Sequence, residues 1–122
     1  MDPTVVHFEI PAENVEKLKG FYEKVFGWKI DKWDGSMEYW MVDTGKGEPG
    51  INGGIMKKTK RGETTINTIG VDSVDEFIRK IESNGGKVLM KKTAIPGVGW
   101  MAYCADTESN KFGIMQNDKS AR

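Results

Sequence analysis

Cysteine and histidine are nearly missing from this sequence: Cys104 and His7 are the only examples in 122 residues. A lone cysteine cannot close an intramolecular disulfide, and without a second thiol the paired spacing of a zinc knuckle does not exist. Such a chain suits a reducing compartment, and a cytoplasmic location is expected. Nowhere do about 18 consecutive apolar residues occur, the length a membrane helix needs. The opening MDPTVVHFEIP also lacks the basic segment and apolar run of a secretion signal. Neither export by that signal nor a membrane span is expected. Charge of one sign is absent too, since 18 Lys and Arg balance 18 Asp and Glu. No basic excess exists to collect phosphates, so nucleic acid and anionic membrane surfaces are not expected partners. The length fits a single domain.

What the sequence does contain is a repeat. Laid on itself at an offset of 59 residues, the distance from His7 to Ile66, it places Asn14 on Ser73, Val15 on Val74, Leu18 on Phe77, Gly27 on Gly86 and Gly54-Ile55-Met56 on Gly113-Ile114-Met115. A helix cap, a helix face, a helix stop and a strand triplet at one offset point to internal duplication. The modules run over about 1–60 and 61–118, with a polar tail at 119–122 that is expected to fray.

Each half reads as strand, helix and three strands. Val5 to Ile10 alternates, and Asn14 then caps a helix whose apolar face is Val15, Leu18, Tyr22, Val25 and Phe26, ended by Gly27. Trp28 to Trp33, Glu38 to Asp43 and Ile51 to Lys57 follow as strands, separated by Asp34-Gly35 and by the Gly45 to Gly50 turn. In the second half the strand is Thr65 to Val71, and Ser73 with Glu76 makes a capping box before a helix stopped by Gly85-Gly86. Its later strands are Lys87 to Ala94, Gly99 to Ala105 and Lys111 to Gln116. The fold class is therefore α+β: two fused βαβββ modules, with curved mixed sheets around a cavity for a small molecule and helices outside.

The segments HFEIPAENVEKLKGFYEKVFGW, VDSVDEFIRKIESNGGKV and AYCADTESNKFGIMQ resemble the vicinal oxygen chelate superfamily, which includes glyoxalase I, bleomycin-resistance proteins and extradiol dioxygenases. The resemblance covers nearly the whole chain. It implies a divalent metal held by up to four side chains: one near the start of the first strand, one on the last strand of each half and one on the first strand of the second half. Matched residue by residue, the first ligand falls on His7, the first-half glutamate on Gly54, the second-half histidine on Ile66 and the final glutamate on Gly113. Zinc or iron generally needs about three or four donors, so His7 alone is a poor site and no cofactor is expected. Asn52 and Asn67 are nearby oxygens that could restore weak ligation, although Asn67 neighbours the ligand position and so points to the other strand face.

His7 and Glu9, two apart and so on one strand face, are the candidate catalytic residues: His7 as a hydrogen-bonding group or base, Glu9 to orient its ring. The expected ligand pocket comprises Trp40, Asn52, Gly54, Met56, Asn67, Trp100, Gly113 and Met115. The two glycines leave volume at its centre for a ligand, or for Met41, Met56, Met101 and Met115 to fill. Trp28 and Trp33 read as packing or interface residues, and Cys104 as a buried inert thiol. Lys57 to Arg61 reads as the solvated loop joining the halves. Gly97-Val98-Gly99 precedes a strand, not a helix, and so is no phosphate cradle. The function expected is binding of an aromatic or hydrophobic small molecule by a homodimer. The alternatives are a glyoxalase-like metal-dependent lyase or isomerase, a dioxygenase, or a metal-free enzyme using His7 and Glu9.

Overall fold

The computed structural model describes residues 2–35, 37–47 and 49–122; position 48, inside the expected Gly45 to Gly50 turn, lies outside them. Ten elements alternate as the repeat requires. The first half holds β1 (Val5–Ala12), α1 (Val15–Phe26), β2 (Lys29–Lys32), β3 (Trp40–Asp43) and β4 (Gly53–Lys57); the second holds β5 (Ile66–Gly70), α2 (Val74–Ser83), β6 (Lys87–Ile95), β7 (Gly99–Ala105) and β8 (Lys111–Asn117). The fold is α+β, with a helix between the first two strands of each half.

Contacts divide the chain into two compact units, His7–Thr65 and Ile66–Arg122, the latter joined by the residues up to Val6. That short segment belongs there because the Gly70 N–H donates to the Thr4 carbonyl at 2.9 Å. In the His7–Thr65 unit the strands lie in the order β2-β3-β4-β1, and in the other in the order β6-β7-β8-β5. β1 runs parallel to β4, pairing Phe8 with Gly53 and Glu9 with Gly54. β5 runs parallel to β8, pairing Asn67 with Phe112 and Thr68 with Gly113. Both registers map onto each other at the 59-residue offset, and so do the helix caps. The Asn14 side chain accepts from the Lys17 N–H, and the Ser73 side chain accepts from the Glu76 N–H. The antiparallel hairpins depart from the repeat, since Gly54 faces Met41 but Gly113 faces Tyr103, three residues beyond the expected Trp100.

One face of each sheet is buried beneath its helix. Under α1, Ala12, Val15, Ile30, Trp40, Val42 and Ile55 form the core, flanked by Phe8, Ile10, Leu18, Tyr22 and Trp28. Trp28 is a packing residue as expected: its ring stacks on Tyr22 with centroids 4.7 Å apart and tilts against Phe8 at 5.9 Å. Under α2 the core is Val71, Val74, Ala102, Cys104 and Ile114. Apolar positions alternate along the strands, so the other face of each sheet carries a separate set of residues.

The tail is a correction to the sequence reading. Residues after Asn117 are docked, not frayed: Ala121 is fully buried, its carbonyl accepts from the Gly97 N–H at 3.0 Å, and the Asp118 N–H donates to the Val98 carbonyl at 3.0 Å. A polar sequence signals exposure only where its backbone groups have no partner, and here the Ile95–Gly99 turn supplies them.

Candidate functional site

β1 places Phe8, Ile10 and Ala12 in the core under α1, which turns His7 and Glu9 to the opposite face. They are joined there by Tyr39, the residue before β3. The Tyr39 hydroxyl donates to Glu9 Oε2 at 2.9 Å, and His7 Nε2 lies 2.6 Å from the Tyr39 hydroxyl oxygen. A phenol has one proton. With that proton donated to the carboxylate in a hydrogen bond, the 2.6 Å contact needs Nε2–H as the donor, so the chain of hydrogen bonds runs from His7 to Tyr39 to Glu9. Glu9 and Tyr39 are buried and His7 is half-buried. Tyr39 thus stands between His7 and Glu9, bonded to both. The imidazole also lies nearly parallel to the Tyr39 ring, at 15° and 6.3 Å, while Trp33 meets that ring edge-on at 6.3 Å.

Gly54 is what admits Tyr39. A Cβ at Gly54 would fall on the Tyr39 ring, against Cζ and the hydroxyl oxygen. The adjacent Gly53 is covered on the other face by Phe8, whose ring and carbonyl oxygen would lie 2.5 Å from a Cβ. The pair of glycines in β4 therefore lets two aromatic rings lie directly on the backbone, one on each face of the sheet. The volume expected to be open at Gly54, or filled by methionine, is filled by Tyr39. Nothing in composition or periodicity marked Tyr39, although an aromatic residue one strand away from a buried glycine is the recognisable signal.

Burial holds the His7 pKa below its ordinary value of 6.5, with the Glu9 carboxylate pulling weakly the other way. The neutral imidazole is the form that fits. Because the folded value lies below the unfolded one, this contribution to stability is fully present above about pH 6.5 and is lost as pH falls through the lower folded value. Thermal melts between pH 8 and 5 should show wild type losing more stability than His7→Gln over that window; parallel curves would contradict the assignment.

The other expected pocket residues divide. Met56 lies beside Gly54 on the Tyr39 face, opposite Pro11 of β1. Asn52 is exposed in the turn before β4, where its Oδ1 accepts from the Thr44 N–H at 2.9 Å. Trp40 is not a wall residue: it is buried in the core under α1. In the second unit, Gly113 and Met115 share the face away from α2, with Gly113 against Thr68 and Tyr103. Trp100 packs against the core under α2, and its Nε1–H donates to Asp118 Oδ2 at 3.0 Å. Asn67 is exposed and shares strand parity with Ile69, which packs under α2. For these three, strand parity decides: each is an odd number of residues from the position that faces away from its helix. Cys104 is fully buried, and burial pushes its thiol pKa up, which leaves it unreactive.

Comparison with solved structures settles the fold. A hypothetical protein of Bacillus halodurans C-125 superposes with a TM-score of 0.75 at 15% identity, over 100% of this chain and 99% of that one. A Streptomyces coelicolor methylmalonyl-CoA epimerase variant in complex with 2-nitronate-propionyl-CoA gives 0.70 at 13% identity, over 98% of both chains. The chain has the vicinal oxygen chelate fold. The Mycobacterium tuberculosis methylmalonyl-CoA epimerase matches it with a TM-score of 0.68 at 10% identity, over 93% of this chain and 87% of that one. Residues 4–45 match the family model described as bleomycin resistance protein-like N-terminal. No curated protein matches the chain in sequence.

The metal that the vicinal oxygen chelate resemblance implies does not fit these residues. His7 Nε2 is committed to Tyr39, the glutamate position is Gly54 with the Tyr39 ring upon it, and in the second unit Ile66 and Gly113 offer no side-chain donor. Among the described residues, no three His, Cys, Asp or Glu side chains come together. Among them too, no helix is long and apolar enough to cross a membrane.

Proposed function

We propose that this chain is a small-molecule-binding protein of the vicinal oxygen chelate fold that works without the fold's usual metal and takes an aromatic or hydrophobic ligand. The observation that carries the reading is Tyr39 lying on Gly54 with its hydroxyl between His7 and Glu9. The core under α1 is complete without this face, yet the face holds a buried carboxylate, a neutral imidazole and two further aromatic residues, a combination suited to a largely apolar ligand with one polar group. The reading includes a cytoplasmic homodimer, in keeping with the single reduced cysteine and with small members of the superfamily that pair to complete their sites.

The test is a thermal-shift screen of metal-free protein against aromatic and aliphatic compounds. A ligand at a hundred times its Kd adds about 2.7 kcal/mol, which is readable as several degrees in Tm. Stabilisation by aromatic compounds supports the reading. Stabilisation by divalent metal and by no organic compound would overturn it.

A second reading, a metal-free enzyme with His7 as base, is favoured by the tautomer alone. With Nε2–H given to Tyr39, the lone pair falls on Nδ1, and the carboxylate behind the tyrosine orients the ring as a third group orients a catalytic base.

A further inference from the structure

The space Tyr39 occupies has the features of a binding site, and all of them belong to the His7–Thr65 unit. Its floor is the bare backbone of Gly54, which a side chain of any size would close. Trp33 borders the space, its plane at 78° to the Tyr39 ring with centroids 6.3 Å apart. At its end stand one donor and one acceptor, His7 Nε2–H and Glu9 Oε2, at 2.6 and 2.9 Å from a single oxygen. A donor and an acceptor converging on one point suit a hydroxyl group, which accepts one hydrogen bond and donates another from the same atom. A flat ring bearing that hydroxyl completes the description.

Tyr39 itself stands outside the regular hydrogen-bonding of β3, which begins at Trp40. Its backbone is held, since the Trp33 N–H donates to the Tyr39 carbonyl at 2.7 Å, so any exchange of the ring has to come from side-chain rotation. A depression bordered by Trp33, Met37 and Glu38 opens to solvent.

We infer that His7 and Glu9 are a recognition pair for a hydroxyaromatic ligand, and that Tyr39 holds the site with its own phenol until such a ligand replaces it. The inference rests on the small-molecule-binding reading and narrows its ligand class to aromatic rings carrying a free hydroxyl. Loss of the pair's hydrogen bonds when Tyr39 leaves is made good by the incoming hydroxyl, so exchange is nearly balanced for a phenol. It is unfavourable for an apolar ring, which returns no hydrogen bond to His7 Nε2–H or to Glu9 Oε2.

The experiment compares p-cresol with p-xylene, which carries a methyl group in place of the hydroxyl. Both are titrated calorimetrically and by tryptophan fluorescence into wild type and Tyr39→Ala, with Tyr39→Leu as a second opening variant should the alanine variant unfold. The opened variant should bind p-cresol at least about tenfold more tightly than p-xylene. It should also bind p-cresol at least tenfold more tightly than wild type does, because the competing ring is gone. Wild type should bind it saturably at millimolar concentration, and adding Glu9→Gln or His7→Ala to the opened variant should abolish the preference. Equal binding of the two probes would overturn the hydroxyl reading. Saturable binding by the opened variant with none by wild type would show Tyr39 to be a fixed wall and overturn the exchange. If both arms fail while other organic compounds stabilise wild type, the binding function stands and only this ligand assignment falls.

Discussion

Restoring a glutamate at position 54 is expected to cost this protein much of its stability and to return no metal site. The new Cβ would occupy the place of the Tyr39 ring, so the ring must turn out. That breaks its bonds to Glu9 and His7 and leaves a second carboxylate beside a buried first one. Overpacking of this kind costs about 1–3 kcal/mol, and each lost bond to a charged or buried partner about 1–3 kcal/mol more. Even the lower end of the total, about 3 kcal/mol, should lower Tm by roughly 10 °C in a chain of this size. Because the cost runs through Tyr39, Gly54→Ala and Tyr39→Ala should be strongly non-additive, with a coupling of about 1–3 kcal/mol in a double-mutant cycle. Additive losses would mean that the ring does not depend on the glycine.

Gly99→Ala is the other large effect. Gly99 is buried at the start of β7, opposite Asn117 of β8. A Cβ there would run into the Gln116 carbonyl oxygen, with its carbon at 3.1 Å. Tyr39 can swing away from a new methyl group, whereas a backbone carbonyl fixed in a sheet cannot. The β7–β8 pairing must therefore part at that point, which also loosens the docked tail after Asn117. A loss of about 3 kcal/mol or more follows. Gly97→Ala is the control: its φ of 76° penalises any side chain, but a Cβ there meets nothing within 4 Å, so only about 1–2 kcal/mol should be lost. Chemical denaturation of both variants checks the order, and equal losses would contradict the collision.

Much of the fold was legible because its signals are local and repeated. Asn14 and Ser73 cap helices that begin one residue later, and the 59-residue offset recovers the register of both parallel strand pairs. It fails for the antiparallel hairpins because a hairpin's register is set by its own turn and bulges; β6 carries two irregularities against β7. For the site, His7, Glu9 and Gly54 could be read from position. Trp40 and Trp100 could not, since an aromatic residue in a strand suits either face and only the parity fixed by Ile55 and Ile114 sends it under the helix. Tyr39 was missed for a different reason. Its role comes from the absence of a side chain on a neighbouring strand, and that relation exists only once β3 and β4 are paired.

A hydrogen-bonded tyrosine lies on Gly54, the position onto which the resemblance puts a glutamate ligand, and it occupies His7 Nε2. The most direct measurement is calorimetric titration of metal-free protein with Zn²⁺, Ni²⁺, Fe²⁺ and Mn²⁺, with His7→Ala alongside. No one-to-one binding at micromolar concentration is expected in either protein; stoichiometric micromolar binding by wild type that disappears in His7→Ala would show that Tyr39 does not keep His7 from a metal.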